Sequence, residues 1–206
     1  MFITNNFYKY SLPTKNYCAS TSPNFGNRSL ATIAHTNLGV SGNGIIGRVQ
    51  VRRANGSEAY LNVMRNATIA NEETYQLQEQ FGKVIGEISF KINNQGGFEY
   101  DFDNRNFRHV FVDFLRNYSN PNTKYYRAGL QEYKDVGLRL MQIAQRRSDE
   151  SNCYGNIVLC SKEDSMPFYE KLGLKVVSKD TESNVNREMF LPAESKEAMS
   201  KMQGGL

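Results

Sequence analysis

Residues 109–117, HVFVDFLRN, are apolar on both faces of an extended chain apart from Asp113. A strand of that kind belongs in the middle of a sheet covered on both sides, so the chain has to supply further strands and something to cover them. The cover follows in sequence. In EYKDVGLRLMQIAQRRS, residues 132–148, the residues Tyr133, Val136, Leu140, Ile143 and Ala144 recur at helical spacing, which predicts a helix of roughly four turns lying on the sheet. NIVLC, residues 156–160, is a short apolar run and reads as a buried strand.

The flanking segments complete the pattern. Before residue 109, IIGRVQV and EAYLNVM are joined through Asn55-Gly56 and read as a β-hairpin. KVIGEISFKI alternates, with Val84, Gly86, Ile88 and Phe90 on one face and Ile85, Glu87, Ser89 and Lys91 on the other; it is a strand, and NNQGG after it is a turn. NEETYQLQEQ, residues 71–80, is expected to hold one short helix. After residue 160, SMPFYEKLGL has Asp164 or Ser165 to cap a helix, Pro167 in its first turn and Gly173 at its stop. LKVV and NREMFLP are two more strands, and AESKEAMSKMQGGL is expected to be an exposed helix or to fray. The order β-β-β-β-α-β-α-β-β predicts an α/β domain with a mixed central sheet over residues 41–192, between an irregular arm, 1–40, and a tail, 193–206.

Composition narrows the partners. Lys and Arg are scattered among Asp and Glu for a formal charge of +4, and RRANG and QRRSD are too small for the basic stripe that nucleic acid requires. No apolar run reaches the length of a spanning helix, and no secretory signal is visible at the start, so neither a membrane nor export is expected and the cytoplasm is the expected compartment. Cys18, Cys153 and Cys160 form no CxxC pair and indicate neither a disulfide framework nor a metal site; no metal is expected.

Chemistry enters with three of these segments together. YKDVGLRLMQIA, NIVLC and SMPFYEKLGLKVV resemble the Gcn5-related N-acetyltransferase (GNAT) superfamily over residues 81–191. That family's acyl-CoA loop, Gln/Arg-x-x-Gly-x-Gly/Ala, falls on residues 132–137, with Glu132 in place of Gln or Arg and Asp135 in place of the first glycine. A second signature, Ala-x-x-Leu-Tyr-Glu-Lys-x-Gly-Phe, matches at Ser165, Phe168, Tyr169, Glu170, Lys171, Gly173 and Leu174, while Lys162 stands where an Asn is usual seven residues before the tyrosine.

The resemblance implies a GNAT-like fold and transfer of an acetyl group from acetyl-CoA to a primary amine by direct attack in a ternary complex. It implies acyl-CoA contacts from Leu115, Lys134, Asp135, Val136, Gly137, Leu138, Ser165 and Phe168, and Tyr169 as the acid that protonates the departing thiolate. A phenol with an ordinary pKa of about 10 remains protonated at neutral pH and suits that role. For the base, Asp113, between Phe111 and Leu115, and Glu87 on the preceding strand are candidates, with base catalysis through water equally open; His35 and His109 are read as structural or exposed. The Asp135 carboxylate is expected to oppose the pyrophosphate, so that replacing it by Gly would tighten CoA binding. The alternative to an enzyme is a non-catalytic GNAT-fold module that binds acyl-CoA or another protein. The acceptor is not specified by any pattern in the sequence.

Overall fold

The computed structural model describes residues 44–66, 71–93, 108–177 and 186–202. The expected arm, including His35 and Cys18, and the expected NNQGG turn lie outside them. β1 (Gly44–Arg53) and β2 (Glu58–Arg65) form the expected hairpin. Gly56 takes the left-handed conformation its turn requires, with φ 85°, and Asn55 Oδ1 accepts a hydrogen bond from the Ser57 amide at 3.0 Å.

The short helix expected near residues 71–80 is instead β3 (Glu72–Gln78), which pairs with β2 and with β4 (Val84–Asn93). Its Glu and Gln content favours a helix locally, but Glu73, Tyr75 and Leu77 alternate into the interior, and Tyr75 stacks on Phe90 with ring centroids 5.5 Å apart. Burial at every second residue overrides propensity.

β5 (His109–Asn117) pairs antiparallel with β4 and is followed by the two-residue β6 (Tyr133–Lys134), α1 (Val136–Glu150) and β7 (Ile157–Lys162). A single 3₁₀ turn, Glu163–Ser165, leads into α2 (Met166–Lys171); β8 (Lys175–Val176), β9 (Asn186–Phe190) and α3 (Ala193–Lys201) complete the described chain. The strands form one sheet in the order β6-β1-β2-β3-β4-β5-β7-β9-β8, with β5 and β7 parallel and every other neighbouring pair antiparallel. This is the expected α/β class, a mixed sheet flanked by helices.

α1 lies on the face that carries Ile88, Phe90, Val110 and Val112, all buried. Gly86 permits the approach: a Cβ added there would meet Val136 Cγ1 at 2.7 Å. One buried carboxylate ties this helix to the far strands. Glu73 accepts bonds from Arg147 Nε at 2.7 Å, Arg65 Nη2 at 3.0 Å and the Tyr75 hydroxyl at 2.7 Å, so each guanidinium removed from water has a partner. α3 is docked rather than solvent-exposed all round. Met199 is fully buried, and Gln142 and Gln145 of α1 donate to the carbonyls of Met199 (2.9 Å) and Lys196 (2.7 Å). Among the described residues, no helix is long and apolar enough to cross a membrane.

Candidate active site

The parallel pair β5 and β7 is bonded only from Val110↔Ile157 to Val112↔Leu159, although both strands run on. The cause is on β5. Ser89 faces Phe114 and Phe90 faces Val112, so Asp113 is an extra residue in the ladder, a β-bulge that bends β5 away from its neighbour. Beyond it the two strands part, and the gap opens at their carboxyl ends. That end of a parallel pair is where helix N-termini and connecting loops converge, and α1, α2 and the loop 118–132 all begin there.

The bulge also moves two of the candidate residues. Leu115 lies opposite Ile88 on the α1 side, and Phe111 opposite Lys91 on the other. The expected pocket for Asp113 between Phe111 and Leu115 is therefore not formed: Asp113 is exposed, and its carboxylate meets Lys91 Nζ at 3.2 Å.

At the start of α1 the first bond of the helix runs from the Arg139 amide to the Asp135 carbonyl at 3.0 Å. The amides of Val136, Gly137 and Leu138 are the ones the helix itself leaves over, and with the helix dipole they make an anion site. The side chains of Val136 and Leu138 are buried in the core, so only their backbone can serve, while Lys134 is exposed beside them. Asp135 adopts φ 68° and carries its carboxylate inward, 1% exposed, onto Arg52 Nε (2.8 Å) and Nη2 (3.0 Å). Its charge is met by a residue 83 positions earlier, and Arg139 adds an electrostatic attraction. Glu132 is exposed.

α2 closes the same end. Phe168 packs on Gly137 so tightly that a Cβ on that glycine would lie 2.8 Å from the ring. Ser165 is exposed at the N-cap position, but its side chain makes no capping bond; the 3₁₀ turn supplies the entry instead. Gly173, φ 90°, ends the helix as expected. Tyr169 lies edge-on to Phe168, centroids 5.0 Å apart, and burial pushes its phenol up to about 12, with Tyr125 adding to the shift.

Glu87 reaches this region through side chains that sequence patterns did not single out. Arg116 Nη1 donates to Glu87 Oε1 at 2.9 Å, the Tyr118 hydroxyl donates to the same oxygen, and Gln76 Nε2 lies 3.4 Å from the other. Arg116 stacks over Phe114 at 4.1 Å and faces the Tyr125 ring at 5.4 Å; Lys124 Nζ is 4.8 Å from that ring. The Lys124 ammonium, with Arg116 added, draws the Tyr125 phenol below its usual value, whereas burial and the bond to Glu87 raise Tyr118. The structure thus brings together Glu87, Arg116, Tyr118 and Tyr125, and leaves Asp113 with Lys91. The available signal was the density of Tyr, Lys and Arg in YSNPNTKYYRAG directly after a buried strand. His109 is buried and bonded to Asn93 Nδ2 at 3.0 Å, a structural histidine as expected. Among the described residues no three His, Cys, Asp or Glu side chains form a metal-binding group.

The sequence matches no protein-family model and no curated protein. Solved structures do match. An acetyltransferase of GNAT family from Staphylococcus aureus is 14% identical, with TM-score 0.39 over 59% of this chain and 67% of that one. Naa20 of Chaetomium thermophilum, solved with a bisubstrate analogue, is 15% identical, with TM-score 0.42 over 64% and 72%. FeeM, an N-acyl amino acid synthase from uncultured soil microbes, is 12% identical, with TM-score 0.47 over 64% and 74%.

Proposed function

We propose that the chain is an acyltransferase of GNAT type that transfers an acetyl group from acetyl-CoA to a primary amine by direct attack in a ternary complex. The observation that carries this reading is the parting of β5 and β7 after Val112 and Leu159, with the free amides of α1 and, packed on them through Phe168, the helix α2 that carries Tyr169 at the same end. An extended acyl-pantetheine arm fits between diverging strands, where unpaired main chain can bond it, and its pyrophosphate fits the amides of residues 136–138.

The geometry supports the acyl-CoA loop on residues 132–137. Asp135, at φ 68°, takes the left-handed conformation that the first glycine of Gln/Arg-x-x-Gly-x-Gly/Ala would supply, and Gly137 stands at the last position of the pattern, where no side chain has room. Asp135, paired with Arg52, no longer opposes the phosphate.

Tyr169 remains protonated across the neutral range because its burial disfavours the phenolate. The same burial makes it a reluctant acid, so it gives up its proton only as charge develops on the leaving sulfur. Direct base catalysis by Glu87 or Asp113 would require either carboxylate to leave its ion pair with Arg116 or Lys91.

The test has two parts. CoA binding is measured by calorimetry and by the amide resonances of residues 136–138, and turnover by thiol release from acetyl-CoA with amino acids, polyamines, aminoglycosides and short peptides. Tyr169→Phe is expected to lower kcat by about 10²–10⁴-fold under single-turnover conditions, with CoA affinity held and a stability loss of only about 0.5–1.5 kcal/mol. Binding without turnover on any amine would favour the non-catalytic acyl-CoA-binding module; no binding would sink both readings.

A further inference from the structure

The gap between β5 and β7 has two faces, and α1 covers one of them. Leu115 of β5, Ile157 and Leu159 of β7 and Met189 of β9 pack into the core with α1. Side chains alternate along a strand, so their chain neighbours Arg116, Cys160 and Glu188 project from the opposite face. Phe114 stands on that face as well, with the Arg116 guanidinium 4.1 Å over its ring. Under the acyl-transfer reading the pyrophosphate is held on the α1 side, which leaves the opposite face as the approach for the acceptor.

The two banks of the gap on this face differ in charge. On the β7 side, Glu188 is the ladder partner of Cys160, the first residue past the last bonded pair with β5. Glu188 is half-buried, and among the described residues its carboxylate has neither an ion pair nor a hydrogen bond. Glu73, Glu87 and Asp135, by contrast, are each held by an arginine. Burial raises the Glu188 carboxyl, as expected where no cation offsets the loss of water. On the β5 side the balance is positive. Arg116 and Lys124 lie 5.4 Å and 4.8 Å from the Tyr125 ring. Arg116 gives Nη1 to Glu87 at 2.9 Å, while its buried Nε has no partner. The exposed Lys124 ammonium makes no ion pair among the described residues, so Glu87 offsets one of two cations.

We propose that this face of the gap takes a zwitterionic acceptor, an amine that also carries a carboxylate, with its ammonium on Glu188 and its carboxylate on Lys124 and Arg116. The inference rests on the acyl-transfer reading above and names the class of its acceptor. One ligand supplies both missing partners, a cation for a carboxylate already withdrawn from water and an anion for the unpaired ammonium of Lys124. The order along the strands suits the reaction. Cys160, beside Glu188, follows directly on the last bonded residue of β7, whereas Arg116 lies further out along β5, beyond the bulge at Asp113. The amine is thereby held deeper, where the strands begin to part, and the carboxylate at the mouth.

The experiment compares matched acceptors. Amino acids with increasing separation of amine and carboxylate, their carboxamides, the corresponding simple amines and short peptides are assayed with acetyl-CoA, and CoA affinity is followed by calorimetry. The best amino acid should exceed its carboxamide by about 10–100-fold in kcat/KM, the range for a charged hydrogen bond. Lys124→Gln should bring that ratio close to one, with CoA affinity held. Glu188→Gln should raise KM for the amino acid and its carboxamide alike, by about 10–100-fold, without lowering the urea midpoint, because an unpartnered half-buried charge is removed. A carboxamide, simple amine or peptide that reacts as well as the amino acid overturns the inference and leaves acyl transfer standing. So does a Glu188→Gln protein with the native KM, or a preference for the carboxylate that survives in Lys124→Gln. A wild-type protein that acylates no amine overturns the acyl-transfer reading and this inference with it.

Discussion

Asp135 sits at a left-handed φ just before a helix whose free amides attract anions, yet it is itself an anion. The position is tenable because Arg52 grips the carboxylate with two nitrogens and takes it out of solvent. The Arg52 pairing offsets the charge on which the expected gain in CoA binding for Asp135→Gly rests. The informative residue is Arg52. Arg52→Gln leaves a buried carboxylate without its partner close to the phosphate site, and should weaken CoA binding by roughly tenfold and cost about 1–3 kcal/mol of stability. Adding Asp135→Asn, which still tolerates positive φ, should recover most of both losses. Calorimetry and urea unfolding on the two variants decide it; an Arg52→Gln protein with native CoA affinity would place Asp135 away from the anion site.

Between elements, the contact of α2 with α1 at Gly137 sets Phe168, and hence Tyr169, against the start of α1. Gly137→Ala gains helix propensity of up to about 1 kcal/mol, but its methyl must displace a packed ring, at about 1–3 kcal/mol. The expected outcome is a modest net loss of stability by urea unfolding, together with a fall in kcat larger than the rise in KM, because α2 is moved. Combining it with Phe168→Leu should restore stability without restoring kcat. Under the proposed acyl transfer, a Gly137→Ala protein with native kinetics would show that α2 is not positioned by this contact.

For the molecule as a whole, burial of neutral acids sets the alkaline limit. The Cys153 thiol is raised by burial to about 11, Tyr169 by burial to about 12, and Tyr75 is raised as well, by burial first and by Glu73 next. In each case the unfolded chain loses its proton first, at about 9 for the thiol and about 10 for the phenols, so over that range the folded state binds more protons. The stability these groups contribute is fully present below about pH 8.5 and is lost as pH rises through the folded values. Cys153 alone accounts for on the order of 2 kcal/mol. Urea unfolding under reducing conditions at about pH 8 and about pH 10.5 should show the decline, and Cys153→Ala should flatten it. An unchanged slope in Cys153→Ala would mean that the thiol ionises alike in both states.

The sequence by itself determined the elements whose signals are local. The Asn55-Gly56 hairpin, the alternation of residues 84–93, the strand apolar on both faces, the helical spacing from Val136 to Ala144 and the stop at Gly173 are each set by side-chain period or turn chemistry within a few residues. Tyr169 and the start of α1 are named as site candidates by the family resemblance of residues 132–137 and 165–174. Tertiary structure decided the rest. β3 is a strand because Tyr75 and Leu77 find Phe90 and the core, not because its residues prefer extension. The bulge at Asp113 exists only in the register between β4 and β5, and it alone separates Phe111 from Leu115. Arg52 meets Asp135 across 83 residues and Arg116 meets Glu87 across 29, while Tyr125 acquires its cations from a strand and a loop. Ion pairs and cation–ring contacts have no characteristic spacing along a chain, because their energy depends on distance through space and on exclusion of water, and both are fixed only when the sheet closes against its helices.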